Sequence, residues 1–248
     1  MRPFVLLATR ADDAVADAEY EAFRRYGGLK PDELVRVRLE AGPLEAALPG
    51  FDPTAYSGLV IGGGPFNASD PPDSKSETQR RVEAELGAVL DEALAHDVPV
   101  LGACYGVGTL GTRFGGVVDD TYAEAIGAIP VTLTDDGRAD PLLAGLPTTF
   151  HAFVGHKEAC AVLPPGAVLL ASSPTCPVQM FRLGRNAYAT QFHPELDVAG
   201  IVERIRAYRY EGYYPPAELD AVVASVEGAE VDVPPRIVAR FVELFARD

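Results

Sequence analysis

Apolar residues in this chain alternate between two spacings, short continuous runs and stripes three to four residues apart, from the start to about position 197. The run 3–8 predicts a buried strand. Residues 12–25, with Val15, Ala18, Ala22 and Phe23 at helical intervals, predict a helix, and 34–39 and 58–61 predict two further strands. From Ser76 to His96 one stripe joins Val82, Leu86, Val89, Leu90, Ala93 and Leu94, with Ser76 placed to cap it and Pro99 closing the stretch. A strand at 98–101 follows, then a helix from Tyr105 to Arg113 that Gly115-Gly116 stops. Further strands are expected at 128–134 and 149–154, around a turn at Asp135-Asp136-Gly137, and at 167–171, 178–182 and 187–192. The last two read as a hairpin across Leu183-Gly184-Arg185-Asn186.

Beyond Asp197 the strand-like runs cease. Segments near 198–210, 216–226 and 235–246 are helical, separated by Tyr213-Tyr214-Pro215-Pro216 and Val233-Pro234-Pro235. Ile201, Ile205, Val238, Phe241, Val242 and Phe245 form stripes that need burial, so this tail is expected to pack on the core. The expected organisation is a catalytic domain at 1–197 with a helical extension, 198–248, on the same domain. Strands alternating with helices predict an α/β fold with a largely parallel sheet, in which ligands bind beyond the carboxyl ends of the strands.

With 248 residues and 48% hydrophobic content the chain can bury a full core. A net charge of −15 disfavours nucleic acid and anionic membranes as partners. No apolar stretch reaches membrane-span length and no secretory leader is evident, so a cytoplasmic protein is expected. Three cysteines without a Cys-x-x-Cys pair suggest neither a disulfide framework nor a zinc site, and no metal or cofactor is expected. Cys160 and Cys176 read as core residues, and His96 and His151 as structural.

Cys104 differs from the other two. It sits in Gly102-Ala103-Cys104-Tyr105-Gly106 directly after an apolar run, the pattern of a nucleophile elbow, where a strand turns sharply into a helix. A helix N-terminus favours thiolate over thiol there. Read alone, the pentapeptide fits a small buried cysteine in a Gly-rich turn equally well. His193-Pro194-Glu195 follows the strand-like run 187–192 and sets an acid two residues beyond a base, so that Glu195 can hold one imidazole nitrogen while the other faces Cys104. Alone, this is better read as a loop histidine satisfied by backbone. Gly62-Gly63-Gly64-Pro65 closes strand 58–61 in a turn that could lend the Gly64 N–H to an oxyanion hole with that of Tyr105, the alternative being a flexible turn.

Together the three segments resemble the class I glutamine amidotransferases, nearest to the glutaminase domain of GMP synthases and its stand-alone relatives, through residues 59–66, 99–118, 150–158 and 187–197. The resemblance implies a three-layer αβα, flavodoxin-like fold. It also implies Cys104 as nucleophile, His193 as general base and acid, Glu195 as its orienting acid, and Gly64 and Tyr105 as oxyanion donors. Gly63, Gly108, Gly155 and His156 would border the substrate. The family hydrolyses the amide of glutamine through a γ-glutamyl thioester and usually passes ammonia to a synthetase; here the expected acceptor is a separate subunit or bulk water.

Two departures fall where substrate is held. Gly108 stands where the family carries Gln, and Gly155-His156-Lys157-Glu158 replaces Ser-His-Gly-Asp. Lost polar contacts relax discrimination, which leaves a γ-glutamyl peptidase acting on a larger conjugate as the alternative. A non-catalytic regulatory module, or a thiol protein that shares only the elbow, are the others. Lys157 reads as a solvated lysine or as a contact for a substrate carboxylate.

Overall fold

A computed structural model describes residues 1–248. In chain order its elements are β1 (Phe4–Ala8), α1 (Asp13–Tyr26), β2 (Leu34–Arg38), α2 (Leu44–Ala47), β3 (Gly58–Ile61), α3 (Glu77–Ala95), β4 (Val100–Ala103) and α4 (Tyr105–Arg113). They continue with β5 (Val117–Asp119), β6 (Glu124–Leu133), α5 (Asp135–Ala139), β7 (Thr149–His156), β8 (Ala159–Val162), β9 (Val168–Ser172), β10 (Met180–Leu183) and β11 (Ala187–Thr190). The helices α6 (Val198–Ala207), α7 (Leu219–Glu227) and α8 (Pro234–Phe245) complete the chain.

The nine-stranded sheet runs β2-β1-β3-β4-β11-β10-β9-β6-β7. From β2 to β11 every pairing is parallel. The expected hairpin β10–β11 then reverses direction, and β9, β6 and β7 extend the sheet antiparallel. Successive residues of β1 point to opposite faces, which is why its five apolar residues can all be buried. Phe4, Leu6 and Ala8 join a cluster with Phe23 of α1 and Ile237 and Phe241 of α8. Val5 and Leu7 join one with Val82, Leu86 and Leu90 of α3 and Leu110 of α4. The result is three layers, helix, sheet, helix. The ring of Phe241 lies 5.9 Å from that of Phe4, so the last helix is part of the core, and α6 and α7 share a smaller cluster with Phe153 of β7.

Local chemistry explains most boundaries. Asp12 and Ser76 cap α1 and α3, accepting from the N–H of Val15 and of Gln79. The segment after Thr134 is not the expected turn but the short helix α5, because the Thr134 hydroxyl accepts from the Gly137 N–H and caps it. Strands β5 and β8 were not expected. They pair with each other outside the main sheet and leave Val117 and Val162 exposed, so no alternation announces them.

Parallel register then places the chemistry. Leu7 pairs with Ile61, Ile61 with Gly102 and Ala103 with Thr190, so β1, β3, β4 and β11 end at one edge. The residues that follow them there are Thr9-Arg10, Gly62–Gly64, Cys104 and Gln191–His193.

Candidate active site

Cys104 has φ 52° and ψ −90°, one of only two non-glycine residues with positive φ. An L-residue adopts this backbone only where its surroundings enforce it. Its N–H donates to the Thr190 carbonyl at 2.7 Å on β11, and its carbonyl accepts from Val107 at 2.8 Å in the first turn of α4. Gly102 lets the helix come this close, since a Cβ there would lie 3.0 Å from the Gly106 Cα.

Across the sheet edge the His193 N–H donates to the Phe153 carbonyl of β7 at 3.0 Å. Its Nδ1 lies 2.9 Å from Oε1 of Glu195, which is fully buried. That contact assigns the Nδ1 proton to the hydrogen bond and turns Nε2 toward the remaining space. His193 and Cys104 line the same cavity, together with Gly64 and Gly155. Neither Sγ nor Nε2 has a hydrogen-bond partner.

A buried ionic ring supports this pair, and the sequence reading missed it. Arg204 of α6 donates to Glu195 Oε1 from both terminal nitrogens, at 3.2 and 3.1 Å, and its Nη1 lies 3.0 Å from His193 Nδ1. Since Nδ1 already donates to Glu195, this last approach is repulsive crowding, not a bond. Glu19 of α1 accepts from Arg10 Nε at 2.8 Å and from the Gly63 N–H at 3.2 Å. Glu19 thereby fixes the turn that carries Gly64. A signal was present: Glu19 stands midway between Val15 and Phe23 on the buried stripe of α1, and Arg204 lies between Ile201 and Ile205 on that of α6.

The Gly62–Gly64 turn passes close over this ring. A Cβ on Gly63 would collide with Arg10 Nη2 and fall 2.8 Å from His193 Cε1, and one on Gly64 would collide with Thr9 Oγ1. The Gly64 N–H donates to no protein group. That of Tyr105 is the first of α4 and has no acceptor within the helix. The Tyr105 ring points away, packing edge-on against Phe66 at 5.9 Å.

Burial dominates the electrostatics. It pushes the Cys104 thiol up to about 12 against the opposing pull of Arg10 and Arg204. This reverses the expectation of a thiolate favoured by the helix end, because the narrow cavity, although it leaves Cys104 partly exposed, desolvates the sulfur more than the charges around it compensate. Burial also pushes His193 down to about 4, with Glu195 opposing and Arg204 and Arg10 reinforcing. Glu195 stays well below the usual carboxylate range, since His193 and Arg204 outweigh its own desolvation. Cysteine and histidine thus rest as neutral thiol and neutral imidazole.

The remaining expected residues lie apart from the sulfur cavity or at its margin. Gly155 lines it, with Ile126 2.7 Å from where a Cβ would sit. Gly108 faces Glu158, whose Oε1 would be 2.5 Å from a Cβ at that position. Glu158 therefore fills the volume that a longer residue 108 would take, with its oxygens accepting from Ala68 and Ser69 N–H groups at 2.8 Å each. His156 is buried beneath the same corner. Its Nε2 lies 2.8 Å from Glu124 Oε2 and its Nδ1 2.9 Å from the Glu158 carbonyl, so it fixes the backbone of 156–158. Lys157 is exposed, donating to the Glu211 carbonyl at 2.7 Å. Cys160 and Cys176 are fully buried, His96 ends α3 at the surface, and His151 is exposed on β7.

A parallel sheet carrying a strained elbow cysteine and an acid-held histidine at one edge defines an α/β protein built around that cysteine. The model of the family glutamine amidotransferase class-I matches residues 34–199, and the chain belongs to that family. It is 30% identical over 142 residues to one subunit of the glutamine-hydrolysing GMP synthase of Methanoregula boonei, covering 57% of this chain and 66% of that one. With the glutamine-hydrolysing GMP synthase of Streptomyces avermitilis it shares 35% over 117 residues, 46% of this chain and 22% of that one. The chain thus spans just under two thirds of the first relative and under a quarter of the second. A glutamine amidotransferase from Thermotoga maritima has the same fold, with a TM-score of 0.71 over 98% of this chain and 99% of that one, at 21% identity. Arg10, Glu19 and Arg204 lie outside the matched residues.

Proposed function

We propose that the protein is a cysteine amidohydrolase that cleaves a γ-glutamyl amide, with glutamine as donor, through a thioester on Cys104. The carrying observation is the convergence of Cys104, the Glu195-held His193 and two unpaired N–H groups at one sheet edge. As the donor enters, the Sγ proton passes to His193 Nε2 while sulfur attacks the γ-carbonyl carbon. The N–H groups of Gly64 and Tyr105 receive the developing oxyanion. Collapse of the adduct expels ammonia as His193 returns the proton to nitrogen. His193 then takes a proton from water, hydroxide attacks the thioester, and glutamate leaves as the thiol is restored. Glu195 keeps the imidazole in the required tautomer throughout and stabilises the imidazolium. The ammonia released can be passed to a separate acceptor subunit.

One observation favours a second reading. With Gly108 opposite the Glu158 carboxylate, the surface that would hold a free amino acid differs from the family pattern, and a γ-glutamyl peptidase would use the same thioester on a larger conjugate. Ammonia and glutamate release from glutamine, measured beside a panel of γ-glutamyl peptides, separates the two. The leading reading expects a higher kcat/KM for glutamine and loss of activity in Cys104→Ala; a preference for the conjugates selects the peptidase.

A further inference from the structure

The cavity that holds Cys104 is about 20 Å³, room for a single water and for no γ-glutamyl compound. Immediately outside it, past Pro65, lies a cleft of about 300 Å³ bordered by Asp12, Lys157 and Glu211. Tyr208 and Tyr213 line both spaces. Their rings stack, with centroids 6.0 Å apart and planes 20° from parallel, and so form a partition along the border of the two spaces that leaves Cys104 partly exposed.

The partition is tied at one end to α6, where the Tyr208 N–H donates to the Arg204 carbonyl at 3.0 Å, and elsewhere by polar side-chain contacts. The Tyr208 hydroxyl accepts from Arg10 Nη1, the same arginine whose Nε is bound to Glu19. Lys157 Nζ sits 4.7 Å above the Tyr213 ring and donates to the Glu211 carbonyl. The segment joining the two tyrosines lies outside the helices and strands. It contains Gly212 at φ 75°, and the Tyr214 hydroxyl anchors its far end to the Ile205 carbonyl of α6. A short aromatic strap on polar ties and a left-handed glycine can move without disturbing the core.

We infer that Tyr208 and Tyr213 form a gate that narrows the way from the outer cleft to the partly exposed Cys104, and that these two residues determine which compounds reach the sulfur. The inference rests on the reading of Cys104 as the reactive residue. When the gate lifts, cavity and cleft join beside Gly64, and the sulfur becomes reachable by compounds larger than water.

Alkylation by iodoacetamide, a small neutral probe larger than water, tests this without requiring turnover. The rate at Cys104 is followed by peptide mass spectrometry in the full chain, with Cys160 and Cys176 as internal reporters of the fold. Tyr213→Ala should accelerate Cys104 alkylation on the order of tenfold or more, as expected when an open minor form becomes the main one. Tyr208→Phe, which removes only the hydroxyl on Arg10, should accelerate it less, and Cys160 and Cys176 should stay protected in both. Cys104 rates unchanged in both variants, or parallel acceleration of all three cysteines, would overturn the gate. Amide hydrolysis assayed on the same proteins keeps the two readings apart. Faster alkylation without hydrolysis of any γ-glutamyl donor leaves the gate standing and removes the amidohydrolase, whereas Cys104-dependent hydrolysis with unchanged alkylation does the reverse.

Discussion

The tightest coupling at the residue scale is that of Arg204 to His193 and Glu195. Its guanidinium neutralises Glu195 and at the same time disfavours a proton on His193 Nε2. Replacing it with methionine should therefore raise the histidine and move the acid limb of the kcat/KM profile to higher pH. It should also cost about 3–5 kcal/mol of stability, since the buried Glu195 loses its arginine and keeps only the His193 hydrogen bond. Arg204→Lys, which keeps the charge but loses the fork, should return the limb part of the way. A limb that stays in place in the methionine variant would contradict this account. Cys104, His193 and Glu195 were legible in the sequence because each lies in a short pattern with glycine or proline beside it. Arg10, Glu19 and Arg204 were not, because a charged residue is read by default as solvated, and only its place on an apolar stripe says otherwise.

At the scale of elements, the elbow depends on how closely α4 lies against β4. A methyl group at position 102 would meet backbone of Gly106 and the Leu110 side chain at 3.0 and 3.1 Å, so the whole first turn must yield. Gly102→Ala is expected to destabilise by about 1–3 kcal/mol and to lower kcat through the displaced sulfur. Denaturant unfolding with a turnover assay checks both, and a stable, fully active variant would count against the elbow. As a contrast remote from the site, Ser76→Ala removes the cap of α3 and should cost about 1 kcal/mol without changing activity. The long helices and parallel strands were readable because their periodicity is set by burial on a known face. Strands β5 and β8 were hidden because short, half-exposed pairs need no alternation. The turn expected after Thr134 became α5 because a threonine cap outweighed the turn-like composition of Asp-Asp-Gly.

For the molecule as a whole, the buried ionic ring and the separate Glu124–His156 contact tie stability to pH. His193 sits below its unfolded value of 6.5, and Glu195 and Glu124 sit below 4.5, so each contributes stability that is fully present above those values and lost as pH falls through the folded ones. Tm should decline from about pH 6.5 toward pH 4 as His193 is forced to charge, then more steeply as the carboxylates protonate. A flat or rising Tm between pH 6.5 and 4 would contradict this. The extension beyond residue 197 belongs to the same energetics, because α6 supplies Arg204 and α8 supplies Phe241 to the main core. From sequence, its amphipathic stripes predicted burial but not a part in the site. No helix is long and apolar enough to cross a membrane.

The most direct test of the account is peptide mapping of the acid-quenched protein after mixing with glutamine and a set of γ-glutamyl amides. A γ-glutamyl thioester on Cys104 that accumulates during turnover and is absent from Cys104→Ala is the predicted result. Amide cleavage that persists at the wild-type rate in Cys104→Ala, or an adduct confined to Cys160 or Cys176, would contradict it.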